Sequence, residues 1–225
     1  MRPSKLSSGA CAALVAALLT VVGNASADTF QTWYQHNLWL RLDPRWSVGT
    51  YADARVTDAF GEHATTLLSP RLRYDVTPYW SLQFNTAWVD AQGVDGRGRR
   101  ESLRLEAEAN PRYALTETLT FSARNRFEAR DIEATPGWNH RLRVRPQLDW
   151  RTPWARVVRG VFLNHEVIYD FGRDQVTEHR LIPFGLVFQP ARHTELRAYH
   201  LWRHATGGAG WFDFHVFGLQ ANTSF

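Results

Sequence analysis

The sequence predicts an all-β chain, a transmembrane antiparallel up-and-down β-barrel, on three observations. Eleven stretches alternate apolar with polar residues, a leader with the anatomy of an export signal precedes them, and Phe225 ends the last stretch on its apolar face. Leu119 to Arg130 shows the alternation. Leu119, Phe121, Ala123 and Phe127 share one face, while Ser122, Arg124, Arg126, Glu128 and Arg130 share the other. Successive side chains of a strand point to opposite faces, so each stretch makes one oily and one charged surface. A soluble antiparallel sheet can use the same pattern. The leader and the terminal aromatic turn the reading toward lipid outside and a polar lumen inside.

The leader comes first. Arg2 and Lys5 form a basic start, Ala10 to Val22 an apolar run, and Ala25-Ser26-Ala27 a small-residue cleavage site before Asp28. The apolar run is short for a membrane-spanning helix. Residues 1–27 are therefore expected to be removed, leaving 28–225 as one barrel domain of 198 residues. Cys11 is the only cysteine and would leave with the leader, so no disulfide is expected. Without Arg2 and Lys5 the 26 basic residues fall to 24 against 22 acidic ones, a formal charge of +2. That balance excludes a nucleic-acid partner as an expectation. No apolar stretch of 18 residues follows the leader, which excludes a helical membrane protein.

The strands are placed, in order, at 30–42, 46–58, 65–76, 80–91, 100–113, 119–131, 139–150, 156–171, 178–189, 195–204 and 212–225. Short turns centre on Asp43-Pro44, Thr77-Pro78, Thr116-Glu117, Thr152-Pro153 and Ala191-Arg192. Longer connections cover Gln92 to Arg99, Asp131 to Trp138 and His204 to Trp211. Eleven segments conflict with the even strand numbers of single-chain bacterial barrels. The expected range is 10–12 strands, with twelve preferred on length. Aromatic residues gather at the two ends, as rings do at a lipid–water interface. Trp46, Tyr79, Trp80, Tyr113, Trp150, Trp154 and Phe225 lie toward the short turns. Trp88, Phe127, Trp138, Trp202, Trp211 and Phe212 lie toward the long loops.

Trp33, Leu38 and Leu40, followed by Asp43-Pro44-Arg45-Trp46-Ser47-Val48 and Arg55, resemble the start of the uncharacterised outer-membrane family known as domain of unknown function 2490. Arg124-Asn125-Arg126-Phe127-Glu128 and His140-Arg141-Leu142-Arg143 resemble its middle section. The resemblance covers essentially the whole chain after the leader. It implies a bacterial outer-membrane barrel and brings no catalytic residue or substrate with it.

An arginine facing mid-bilayer lipid costs roughly 2–4 kcal/mol, so the strand phase should turn the arginines inward. The expected lumen-lining set is Arg71, Arg73, Arg104, Glu106, Glu108, Arg124, Arg126, Glu128, Arg141, Arg143, Arg145 and Glu166. Arg41, Arg55, Arg112, Arg130, Arg197 and Arg203, with Asp53, Asp75, Asp149, Asp170 and Glu195, complete it at 14 positive against 9 negative side chains. Two outcomes are open. Either the charges pair across strands and plug the lumen, or an arginine wall draws small anions through a water-filled pore.

Catalytic patterns are sparse. His63-Ala64-Thr65 and His204-Ala205-Thr206 only approach the His-x-Ser of outer-membrane lipid hydrolases, and both fall at loops. In Asp213-Phe214-His215 the carboxylate shares a face with the imidazole, although a solvated rim pair is the plainer reading. Glu178-His179 and His165-Glu166 are adjacent, so their side chains should point to opposite faces. The nine histidines show no metal-ligand spacing. The expectation is a Gram-negative outer-membrane barrel with no enzymatic activity, cofactor or metal. It would act as a narrow, anion-leaning channel or as a plugged structural barrel, with an outer-leaflet lipid- or peptide-modifying enzyme as the remote alternative. Expected partners are outer-membrane lipids and lipopolysaccharide, the barrel-assembly machinery that reads a terminal aromatic, and small anionic solutes.

Overall fold

Alternation of this kind needs a partner strand on each side, and the chain supplies one by closing on itself. The computed structural model describes residues 30–57, 62–92, 98–152, 158–207 and 210–225, so the leader, Pro153 and Trp154 lie outside the described residues. The strands are β1 (Phe30–Arg41), β2 (Trp46–Thr57), β3 (Glu62–Thr77), β4 (Trp80–Gln92), β5 (Arg99–Ala114) and β6 (Leu119–Ile132). They continue as β7 (Trp138–Arg151), β8 (Val158–Asp170), β9 (Gln175–Ala191), β10 (Thr194–Gly207) and β11 (Gly210–Ser224). Each pairs antiparallel with the next, and β11 pairs with β1 to close the barrel. Every expected strand is present, with ends displaced by three residues or fewer. The connection expected over His204 to Trp211 is mostly strand, since β10 runs to Gly207 and β11 starts at Gly210.

The count is eleven, and the preference for twelve gives way. A meander with an odd number of strands leaves its first and last strands pointing the same way, so the closing seam is parallel, from Phe30↔His215 to Trp39↔Ser224. Inside the seam the Asn37 amide donates to Asn222 Oδ1 at 2.9 Å, and the Tyr199 hydroxyl donates to Gln35 Oε1 at 2.9 Å. Arg41 N–H donates to the Phe225 carbonyl and Phe225 N–H to the Trp39 carbonyl, at 2.9 and 3.0 Å.

Three of the short turns use one device. A side-chain oxygen at the turn's start accepts backbone N–H groups that the reversal leaves without partners. Asp43 Oδ1 accepts from Arg45 and Trp46, both at 2.7 Å, and these bonds hold its carboxyl below the ordinary aspartate range. Thr77 Oγ1 accepts from Tyr79, and Thr116 Oγ1 from Thr118 and Leu119.

The strand phase is plainest on β4. Ser81, Gln83, Asn85, Ala87 and Val89 are buried inside, while Trp80, Leu82, Phe84 and Trp88 are exposed outside. Leu105, Leu142, Val144 and Leu219 are likewise exposed on the outer face, and Phe121 is half-buried there. Aromatic contacts ring both ends. Toward the short turns Trp46 packs on Tyr74 at 4.6 Å, and Trp80 Nε1 donates to the Tyr113 hydroxyl at 3.1 Å. Toward the other end Trp211 stacks on His204 at 4.3 Å. Phe212 departs from the expected girdle. Its strand phase turns it inward, where it packs against the cluster formed by Trp33, Phe162, Ile182, Val187, Tyr199, Leu201, Phe214 and Val216.

That inner cluster corrects the expectation of a uniformly polar lumen. The wall formed by β1 and β8–β11 is lined with apolar and aromatic side chains. Two inward glycines make room for it. A Cβ at Gly185 would overlap the Phe162 ring, and one at Gly218 would overlap Tyr199. Arg55 stacks over Trp33 at 3.8 Å and Arg197 over Phe162 at 4.9 Å, so cations cover the aromatic faces.

Candidate functional site: a charged lumen

The register sets like charges directly opposite one another. Arg124 faces Arg145, Arg126 faces Arg143, Arg104 faces Arg130, and Glu106 faces Glu128. Like charges in that position repel. The repulsion is relieved where a guanidinium reaches a carboxylate directly opposite, as Arg126 does Glu108 and Arg180 does Glu166, or one diagonal to it. Arg126 meets Glu106 at 2.9 Å, Glu128 at 3.4 Å, and Glu108. Arg143 meets Glu128 at 2.6 Å and Glu166 at 2.9 Å. Arg180 joins Glu166 to Glu178 at 3.3 and 2.6 Å, and Arg203 meets Glu178 at 2.7 Å. The result is one continuous ion-pair belt from β5 to β10. Arg130 and Arg141 share Asp170, at 3.2 and 2.9 Å, nearer the long-loop end.

The belt covers one wall. A cavity of about 2070 Å³ fills the rest of the lumen and is lined by residues from both ends of the barrel, Pro44 and Tyr79 at one and Thr206 and Trp211 at the other. A water molecule in the liquid occupies roughly 30 Å³, so this space holds tens of waters. Of the expected lumen set, Arg71, Arg73, Arg104, Glu108, Arg124, Arg126, Glu128, Arg141, Arg143, Arg145 and Glu166 line the cavity. Glu106 sits behind Arg126, and its Oε1 has no hydrogen-bond partner. Arg73 pairs with Asp75 near the turn at 2.7 Å, where both are more exposed.

Among the described residues, three partly buried lumen guanidiniums reach no carboxylate. Arg71 has one polar partner, the neutral Asn37 Oδ1 at 2.7 Å. Among the described residues Arg104 and Arg145 make no hydrogen bond or ion pair, and the Nε atoms of all three are buried and unsatisfied. Arg180 and Glu178 were missed by the sequence reading, yet both belong to the belt. Their shared parity on β9 was the signal. Adding one of each sign gives 15 positive against 10 negative and leaves the excess at five.

The candidate catalytic pairs are rearranged. Asp213 does not orient His215; it accepts from His204 at 2.8 Å and from Trp202 Nε1 at 2.9 Å. His215 stacks on His200 instead, at 5.3 Å between ring centroids. Register explains this, because cross-strand neighbours on one face lie nearer than residues two apart along a strand. His165 and His179 stack on the outer face, with Glu166 and Glu178 turned inward. The side chain of His63 lies outside the described residues.

Comparison with known proteins finds no matching curated protein and no matching solved structure. A family model described as "protein of unknown function (DUF2490)" matches residues 30–212, from the first residue of β1 into β11. With most of the barrel inside that match, the chain belongs to the DUF2490 family.

Proposed function

We propose that this protein is an outer-membrane barrel whose lumen is a narrow, water-filled path favouring small anions. The cavity carries the reading, since it is lined from both ends and its wall holds guanidiniums that no carboxylate neutralises. The exposed apolar outer face and the aromatic residues at both ends support placement in a bilayer, as does the export leader read from the sequence. Membrane lipids and lipopolysaccharide would surround it, the assembly machinery would insert it, and no catalytic step is assigned to it. The ion-pair belt favours a second reading, a sealed barrel in which the arginines are structural.

Reversal potentials across a planar bilayer test the proposal. Surplus positive charge in a confined lumen concentrates anions, so the refolded barrel should prefer chloride over potassium at low salt. The preference should fade toward molar salt, as the Debye length falls to about 3 Å. Stripping Arg124, Arg126, Arg141 and Arg143 would break the belt and the Arg141–Asp170 pair, so the informative variant is Arg104→Gln with Arg145→Gln. That pair should lower the preference. Folded protein with no conductance supports the sealed barrel, and cation preference overturns the anion path.

A further inference from the structure

The unpartnered arginines do not sit at one level. Arg104 lies opposite Arg130, toward the long-loop end of the belt. Arg145 lies opposite Arg124 across β6 and β7. Arg71 reaches the same region from β3. Its guanidinium lies 4.0 Å from the Tyr51 ring centroid, and Tyr51 is within Coulombic range of Arg124. Arg71 and Arg145 are both within Coulombic range of Glu108 and Arg126. Arg124 and Arg145 are thus neighbours across β6 and β7, Arg71 on β3 feels the same charged groups, and all three line the cavity.

The nearby carboxylates are already engaged. Glu108 accepts from Arg126, Asn85 and Asn110, and Glu166 serves Arg124, Arg143 and Arg180. Nothing is left for Arg145, and only a neutral amide for Arg71. The Nε atoms of Arg71, Arg124 and Arg145 are each buried without a partner. Guanidiniums that line wet space at a point of mutual repulsion, two of them without a carboxylate partner, suit an anion with more than one acceptor oxygen. A guanidinium presents a planar fork that matches a carboxylate or phosphate in two bonds, which a spherical halide cannot match.

We propose that Arg71, Arg124 and Arg145 form an oxyanion-binding site in the lumen, selective for carboxylate- or phosphate-bearing solutes over halides. The site rests on the reading of the lumen as water-filled, and it deepens that reading by naming the class of solute. Binding occurs on the barrel itself and needs no conduction, so the two readings fail separately.

The test is calorimetric titration of the refolded barrel in detergent with sodium malonate and, separately, sodium phosphate, at ionic strength held constant with sodium chloride. Saturable binding of about one anion per barrel is expected from at least one of the two. Malonate alone marks a carboxylate site, and phosphate alone a phosphate site. Arg145→Gln should weaken binding about tenfold or more, the scale of a lost charge-assisted hydrogen bond. Arg145→Lys, which keeps the charge and loses the fork, should recover only part of it. Arg192→Gln, on the exposed β9–β10 turn, should change nothing. If Arg145→Gln loses the heat-modifiable band of a folded barrel, Arg71→Gln takes its place. Absence of saturable binding, or a folded Arg145→Gln barrel that binds like the wild type, overturns the site. A barrel that binds but does not conduct keeps the site and refutes the path; one that conducts anions without saturable binding does the reverse.

Discussion

Arg126 shows what a single residue does in this lumen. Its side chain is 5% exposed and sits among three carboxylates, from Glu106, Glu108 and Glu128. Removing it would leave those charges facing one another with little water to screen them. Breaking a buried ion pair by deleting one partner costs about 3–5 kcal/mol, mostly through the charge left behind. Arg126→Gln is therefore expected to destabilise the barrel by about that amount in urea unfolding followed by the heat-modifiable band. Arg73→Gln gives the comparison. Its pair with Asp75 is exposed and near a turn, so its loss should cost about 0–1 kcal/mol. Comparable losses at the two positions would show that the belt is not the source of stability.

Among the elements, β7 separates its two faces well. Arg141, Arg143, Arg145, Gln147 and Asp149 turn inward, while Leu142, Val144, Leu148 and Trp150 turn outward. Val144 lies at the middle of the strand, opposite Asn125 on β6 and Val167 on β8. With the strand spanning a bilayer, Val144→Arg should cost about 2–4 kcal/mol. Phe121 also faces out but lies two residues into β6, beside the turn. Arginine there can reach the interface, and the expected cost falls to about 0–1 kcal/mol. Unfolding from lipid vesicles measures both, and equal costs would contradict the proposed depth. β8 and β9 are less regular, with register shifts between Val158 and Gly160, Phe162 and Asn164, and Ile168 and Tyr169. Those shifts accompany the apolar inner wall, where Phe162 lies against Gly185.

At the scale of the whole molecule, the odd strand number is the defining feature. It forces the parallel β1/β11 seam and places the start of β1 and the end of β11 at opposite ends of the barrel. Tyr34 and Leu219 are register partners across that seam, and both are exposed on the outer face. Paired strands lie about 4.8 Å apart, within disulfide reach. Cysteines at these two positions should cross-link under mild oxidation and give a shifted band on a non-reducing gel. Cysteines at Tyr34 and Thr223 should not, because Thr223 pairs with Leu38. Cross-linking of the second pair in place of the first would mean a different closure. Closure also sets the lumen's two-sided character, with the charged belt spanning β5 to β10 and the apolar cluster on β1 and β8–β11.

The sequence by itself determined the strands, their facing and the family. Period-two alternation is a local property, so Leu119 to Arg130 reads the same alone as in the barrel. Inward arginines followed from the same phase, combined with the cost of placing them in lipid. A barrel was legible but its seam was not, because the direction in which the first and last strands meet depends on the final count and on the tilt of the whole sheet. Nor was the pairing within the lumen. Alternation places Arg124, Arg126, Arg143 and Arg145 on one face but is silent about register, and register puts Arg124 against Arg145 and Arg126 against Arg143. Once that is fixed, the reach of each side chain decides which guanidinium finds a carboxylate. Arg126 and Arg143 find several, and Arg104 and Arg145 find none. The tertiary structure alone made that division, because it is a matter of distance between strands far apart in the chain.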